Sequence, residues 1–155
     1  MRSGGTLSRP KMIISGGQTG ADQGGLLGAK RCGIKTGGMA PKGYRTESGK
    51  NPTLLRDHYG LSESPYWQYP PRTRDNARAS GGTVWFGNTG SPGYGCTYNA
   101  VKATRRLWLE NPTPDVLAKW VGDNGIEILN VAGNRESTNP GICQRTCYTI
   151  MEAFK

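Results

Sequence analysis

The sequence has little histidine, no closely paired cysteines and no long apolar run, and each shortage argues against a class of site. Its 155 residues include one histidine, His58, and four cysteines without a C-x-x-C pair, so a metal site has little support. The cysteines instead fit a reducing, cytoplasmic setting. No run approaches the roughly 18 apolar residues that span a bilayer, so no membrane association is expected.

Acidic residues are also scarce. The chain has 11 Asp and Glu against 20 Lys and Arg, which gives a formal net charge of +9 and a pI near 9.7. This excess predicts either a solvated basic surface or an anionic partner, such as a phosphorylated small molecule or nucleic acid. The basic residues are spread along the chain without forming a block, which disfavours nucleic acid. Residues 1–10 are predicted to form a flexible basic tail.

Strand-like and helix-like segments alternate along the rest of the chain. Predicted strands cover residues 11–15, 34–40, 82–88 and 126–133, and predicted helices cover residues 22–31, 72–79, 98–107, 114–122 and 142–154. Neither a repeat nor an interdomain linker is visible. The alternation predicts a single domain, residues 11–155, with an α/β fold in three layers around a mainly parallel sheet.

Three of the predicted strands end in loops of unusual composition: SGGQTGAD, GNTGSPGYGCT and AGNRESTNPG. In an open parallel sheet these loops meet at the rim where ligands bind. In the first loop, glycine lets backbone N–H groups approach an anion, and two polar side chains add donors. The predicted phosphate ligands in this loop are Gly16, Gly17, Gln18, Thr19 and Gly20. A tight turn that needs glycine for steric reasons is the alternative.

Asp22 complicates a phosphate site because a carboxylate repels phosphate. It could cap the following helix by accepting backbone N–H groups, bind a ribose hydroxyl, or act as a general base.

The other two loops and several basic residues complete the predicted site. The second loop contributes Gly95 and Thr97, whereas Cys96 is interpreted as a small packing residue. The third loop places Asn134, Arg135 and Glu136 at a strand end, where the cation and the acid could equally form a bridge that starts a helix. Arginine can clamp phosphate through paired hydrogen bonds, and the predicted cationic ligands are Lys42, Arg45, Arg72 and Arg135.

The motifs resemble those of the putative molybdenum carrier family, across nearly the whole chain from Lys11. The resemblance is carried by IISGGQTGADQGGLLGAKRCGIKTGGMAPKGYRTESG, by PRTRDNARASGGTVWF with the aromatic stretch before it, by GSPGYGCT and by ILNVAGNRESTNPGI. That family is similar to the lysine decarboxylase-like nucleotide phosphoribohydrolases. The resemblance implies a Rossmann-like fold, glycine loops that bind a nucleotide or an anionic pterin, molybdenum cofactor as one such ligand, and a homo-oligomer.

The chain departs from the patterns of these relatives. The hydrolase motif P-G-G-x-G-T-x-x-E becomes Pro92 to Thr97, with Ala100 in place of the glutamate, which puts hydrolase chemistry in doubt. The carrier pattern Ser-Asp-Gly-Thr becomes Ser80 to Thr83 with glycine in place of the acid. Cys96 replaces a glycine in the second loop.

Three functions remain open on the sequence. The first is a binding protein, without chemistry, for an anionic nucleotide-like or pterin-type ligand. The second is an enzyme that hydrolyses the N-glycosidic bond of a nucleotide. Its candidate catalytic residues are Glu47, which lies beside predicted phosphate ligands, and then Asp22 and Glu136. The third is a nucleic-acid-binding module, in which Tyr66, Trp67 and Tyr69 would stack on bases.

Overall fold

The computed structural model describes residues 9–155 of the chain. Its strands are β1 (Met12–Ile14), β2 (Lys35–Gly37), β3 (Met39–Ala40), β4 (Arg45–Thr46), β5 (Gly49–Lys50), β6 (Ser62–Glu63), β7 (Gly82–Phe86), β8 (Leu107–Glu110) and β9 (Ile128–Gly133). Its α-helices are α1 (Ala21–Arg31), α2 (Tyr69–Ala79), α3 (Pro92–Thr104), α4 (Pro114–Asp123) and α5 (Ile142–Phe154). A short 3₁₀ turn (Lys42–Tyr44) and a π-helical turn (Thr53–His58) lie between β3 and β6.

The central sheet has five parallel strands in the order β2-β1-β9-β7-β8. Right-handed crossovers place α1, α4 and α5 on one face of the sheet and α2 and α3 on the other. The packing of α1 and α4 on α5, and of α2 on α3, agrees with these faces. The predicted three-layer Rossmann-like α/β fold is therefore confirmed.

The chain's last strand, β9, lies at the centre of the sheet. It pairs with β1 on one side and with β7 on the other. Counted from β9, the strand order becomes 3-2-1-4-5, which is the usual order of a Rossmann sheet. The last strand of this chain thus occupies the place that the first strand takes in that fold.

Burial explains why β7 and β9 carry the most apolar segments. Every residue of β7 is buried, as expected for an interior strand covered by helices on both faces. On one face Val84 and Val131 join a core completed by Leu117 of α4 and Ile150 of α5. On the other face the Asn130 amide donates to the Thr83 hydroxyl at 3.1 Å, a buried pair beneath α2 and α3.

Several predicted boundaries are wrong. Helix α3 begins at Pro92 and not near residue 98, because the Ser91 hydroxyl accepts the Tyr94 N–H and proline suits a first helical turn. Helix α2 also begins earlier, at Tyr69. Strand β8 at the sheet edge has no counterpart among the predicted strands. The predicted strand over residues 34–40 is divided at Gly38 between two sheets.

The start of the described chain packs against the domain. Residues 1–8 of the predicted 1–10 tail lie outside the described residues, whereas Arg9 is half-buried and Pro10 is buried. None of the helices among residues 9–155 combines the length and the apolar character that a membrane-crossing helix requires.

Candidate functional site

A cleft of about 490 Å³ opens at the carboxyl ends of β1, β7 and β9. At this place β9 leads to α5 on one face of the sheet, and the neighbouring strand β7 leads to α3 on the other face. Such a topological switch point is where open α/β sheets bind ligands. The side chains that line it include Gln18, Asp22, Tyr69, Arg72, Thr73, Trp85, Ser91, Cys96, Thr97, Asn134, Arg135 and Thr138.

Three guanidinium groups surround the ring of Tyr69 at one wall of the cleft. The guanidinium carbons of Arg45, Arg72 and Arg135 lie 4.4, 5.3 and 5.1 Å from the ring centroid. The Tyr69 hydroxyl also accepts hydrogen bonds from Arg45 and from the Gln18 amide, each at 3.2 Å. Three elements far apart in sequence (β4, α2 and the β9–α5 loop) therefore direct cations to one place.

Asp22 faces this group of cations from α1. Its carboxylate lies 3.6 Å from an Arg72 guanidinium nitrogen and accepts the Gln18 N–H at 3.2 Å. Burial raises the pKa of Asp22 to about 6, although Arg72, the N–H groups of Gln18 and Gly16, and Arg135 each favour the charged form. Of the carboxylates between residues 9 and 155, Asp22 is the one that lines the cleft.

The glycine-rich loop after β1 uses its bare backbone for contacts within the protein. A Cβ added to Gly16 would lie 1.9 Å from the Arg72 guanidinium, so the absent side chain makes room for that cation. The N–H groups of Gly17, Gln18 and Thr19 already donate to Ser15 Oγ, Asp22 and Gln18 Oε1. Phosphate binding by this loop stays a prediction, and a phosphate would have to replace those acceptors.

Asn134 holds the three predicted loops together. Its side-chain oxygen accepts the Asn88 N–H at 2.7 Å, and its amide donates to the Ser91 hydroxyl at 3.2 Å. Its backbone carbonyl accepts the Ala21 N–H at 3.0 Å. The predicted meeting of the three loops at one rim is therefore confirmed.

The other two candidate carboxylates lie outside the cleft lining. Glu47 is exposed and accepts hydrogen bonds from the hydroxyls of Ser137 and Thr19, which lower its pKa. It thereby links the β4–β5 hairpin to two of the rim loops. Glu136 accepts the N–H groups of Gly141 and Cys143, so it caps the start of α5.

The remaining predicted ligands divide between the cleft and its surroundings. Thr97 lines the cleft, whereas Gly95 lies inside α3 and outside the lining. Lys42 is exposed and is also outside the lining.

Two aromatic residues of the site were not predicted as ligand-binding residues. Trp85 of β7 lines the cleft, is 1% exposed, and its indole nitrogen has no hydrogen-bond partner within residues 9–155. It packs edge-to-face against Tyr94 and stacks on Trp108. From the sequence, Tyr69 is predicted only as a base-stacking residue. The residues next to Tyr69 do not predict its contacts with Arg45 and Arg135, because both arginines are distant from it in sequence.

Comparisons with known proteins identify the family. Residues 13–154 match the family model described as the circularly permutated YpsA SLOG family. The chain is also similar to the crystal structure of a putative molybdenum carrier protein from Syntrophus aciditrophicus SB, with 30% sequence identity, 94% of each chain covered and a TM-score of 0.83. No curated protein matches the sequence.

The chain therefore belongs to the circularly permutated YpsA SLOG family, and its resemblance to the putative molybdenum carrier family is confirmed. The family description agrees with the strand order, in which the last strand of the chain takes the first strand's place in the sheet.

Replacing Gly20 by alanine tests the contact between two rim loops. Gly20 has φ of +85°, and a Cβ there would lie 2.3 Å from the Asn134 carbonyl oxygen and 2.6 Å from the Glu136 nitrogen. We expect Gly20→Ala to lower the free energy of unfolding in urea by about 3 kcal/mol, since both the backbone strain and the overpacking involve main-chain atoms.

Gly95→Ala is the control for this substitution. No atom lies within 4 Å of its added Cβ, and Gly95 lies within α3. Its stability should stay the same or rise by about 0.5–1 kcal/mol through helix propensity. Equal stabilities of the two variants would contradict the contact described for Gly20.

Replacing Asp22 by asparagine tests the burial of its charge. Because folding raises the pKa of Asp22 from 3.8 to about 6, its contribution to stability is complete below pH 3.8 and is lost as the pH rises through 6. Asp22→Asn should thus be more stable than the native chain at pH 7.5, by up to about 3 kcal/mol, and the difference should shrink towards pH 4.

Asp123→Asn, which removes an exposed carboxylate paired with Lys119, supplies the comparison. At pH 7.5 and at pH 4, the free energy of unfolding of this variant in urea should lie within about 0.5 kcal/mol of the native value. A destabilised Asp22→Asn protein at pH 7.5 would show that the ion pair with Arg72 outweighs burial.

Proposed function

We propose that this member of the circularly permutated YpsA SLOG family is a binding protein for an anionic nucleotide-like or pterin-type ligand. The observation that carries the proposal is the convergence of Arg45, Arg72 and Arg135 on Tyr69 beside the cleft at the topological switch point. The ligand's phosphate would lie against the guanidinium groups of Arg72 and Arg135, which line the cleft, whereas Arg45 lies outside the lining.

The electrostatics of the cluster favour a bound anion. Guanidinium groups around one ring repel each other, and a bound anion would reduce that repulsion. The Nε–H groups of Arg45 and Arg72 are buried without a hydrogen-bond partner in the described part of the chain. A phosphate offers several acceptor oxygens, and the planar fork of arginine binds such oxygens in pairs.

The rest of the cleft suits the remainder of such a ligand. Its volume of about 490 Å³ falls within the range of about 300–1,000 Å³ found for small-molecule sites. Trp85 supplies an apolar wall, and the hydroxyls of Ser91 and Thr97 supply polar contacts. A molecule with a flat ring at one end and phosphate at the other would use both parts.

The donor set also suits one form in which molybdenum could be bound. The Syntrophus relative is described as a putative molybdenum carrier. If this chain bound molybdenum as molybdenum cofactor, the ligand would be a pterin that carries phosphate. In this chain Arg72 and Arg135 would hold the phosphate, while Gln18 and Asn134 would contact polar groups of the ligand. The glycine-rich loop would serve mainly to make room for Arg72.

A second candidate function is hydrolysis of a nucleotide's N-glycosidic bond, and the position of Asp22 favours it over Glu47. Asp22 lines the cleft and has a pKa near 6, which suits a general base, whereas Glu47 lies outside the lining. Asp22 would take a proton from water as the water oxygen bonds to the anomeric carbon. The N-glycosidic bond would break with its electron pair going to the nucleobase, which would leave after taking up a proton from Asp22 or from solvent. Chromatographic detection of free base from nucleoside monophosphates, abolished in Asp22→Asn, would support this function.

Arginine variants test the proposed anion site by calorimetric titration with adenosine and guanosine 5′-monophosphates. Arg135→Ala and Arg72→Ala should each weaken binding about 10- to 100-fold, since a hydrogen bond to a charged group contributes about 1.5–3 kcal/mol. Arg135 is exposed, so its loss should leave the fold intact.

Arg74→Ala is the matched control, because Arg74 is an exposed arginine on the same helix as Arg72. Its affinity should stay within about twofold of the native value, since the lost charge is outside the cleft. Equal weakening by all three variants would indicate attraction by net charge alone and would contradict a defined site.

Native mass spectrometry of the freshly purified protein, followed by denaturing release, would identify a ligand that copurifies. A nucleotide or a pterin would support the proposed ligand class. A neutral molecule or a metal ion alone would contradict it.

A further inference from the structure

We propose that Asp22 competes with the anionic ligand for Arg72, so that the ligand binds together with a proton that neutralises Asp22. This inference rests on the proposed function, because it concerns how the same anion site is regulated. Its consequence is that affinity for the anion depends on pH near neutrality.

The geometry places the competitor inside the site. Asp22 is 4% exposed, and its carboxylate lies 3.6 Å from the Arg72 guanidinium, whose side chain is 13% exposed. Both residues line the cleft. An anion that contacts Arg72 from the cleft therefore lies a few ångströms from a buried carboxylate.

The groups around Asp22 offset only part of the cost of burying its charge. Arg72 from α2 and Arg135 from the β9–α5 loop favour the carboxylate, as do the N–H groups of Gln18 and Gly16, while burial opposes it. From the hairpin, the charge of Arg45 lies against Tyr69, and that of Glu47 is held by Thr19 and Ser137. Burial and these neighbouring groups together give Asp22 a pKa of about 6.

A second negative charge in the cleft would raise the pKa of Asp22. An anion beside Asp22 disfavours its charged form and also takes up the Arg72 charge that had stabilised it, so the pKa of Asp22 rises further. Below pH 6 Asp22 is already protonated and affinity should not change with pH. Above pH 6 each added pH unit should weaken binding up to tenfold, or about 25-fold at most between pH 5.5 and 7.5.

The probe must not titrate itself, because the second ionisation of a phosphate ester near pH 6 would change affinity in the opposite direction. Inorganic sulfate is suitable, since it remains a dianion over this range. Nuclear magnetic resonance suits a weak ligand, with the arginine Nε–Hε signals reporting on binding and the Asp22 carboxyl carbon reporting on its own protonation. All titrations would be run at constant ionic strength.

For the native protein we expect sulfate affinity to fall from pH 5.5 to pH 7.5, and the pKa of Asp22 to rise when sulfate is present. Asp22→Asn keeps an oxygen that can accept the Gln18 N–H and should bind sulfate equally well at both pH values, and more tightly than the native chain at pH 7.5. Asp123→Asn, outside the cleft, should behave like the native chain.

The two proposals fail differently. If sulfate shifts the Arg72 and Arg135 signals with the same affinity at both pH values, the proton-coupled competition is overturned while the anion site stands. If sulfate leaves both signals unchanged at every pH, the anion site is overturned, and the competition with it. Retention of the native pH dependence in Asp22→Asn would assign the proton to another group and would also overturn the competition.

Discussion

The position of β9 between β1 and β7 brings the loops of the site together. This strand is the last in the chain, yet it pairs with both neighbours at the centre of the sheet. Its end delivers Asn134, which joins the rim loops, and Arg135, which faces Tyr69. The cleft therefore forms only when the C-terminal segment is in place. Helix α5, which follows β9, packs against α1 on the face of the sheet opposite α2 and α3.

The site places several cations and a buried carboxylate side by side. Three guanidinium groups approach one ring, and Asp22 is buried in the same wall of the cleft. Burial of Asp22 disfavours its ionised form more than Arg72 favours it, so the charged carboxylate lowers stability at neutral pH. A buried carboxylate with a raised pKa beside several cations is typical of functional sites, where stability is lower so that a ligand can be bound.

The sequence predicted the interior strands and the meeting of the three loops better than the contacts between individual side chains. The segments GTVWF and ILNVAG were recognised because β-branched and aromatic residues are concentrated in them, and the rule for parallel sheets then placed their loops at one rim. Strand β8 is not predicted, because its four residues at a sheet edge show no clear alternation. The start of α3 is predicted too late in the sequence, because the glycines near its N-terminus are typical of a loop.

The roles of individual side chains depended on contacts between distant parts of the chain. The glycines of residues 16–20 predicted backbone donors for phosphate, but Gly16 makes room for Arg72, which lies 56 residues further along the chain. Glu47 was favoured as a catalytic residue because it lies near predicted phosphate ligands. Its hydrogen bonds to Thr19 and Ser137 show a link between loops that local sequence could not indicate.

The most direct test of the account is a crystal structure of the protein grown with selenate, whose selenium can be located by anomalous scattering. The account predicts a selenate ion in the cleft, bound by Arg72 and Arg135 beside Tyr69. Selenate bound only to the N–H groups of the glycine-rich loop, or only to exposed basic residues outside the cleft, would contradict it.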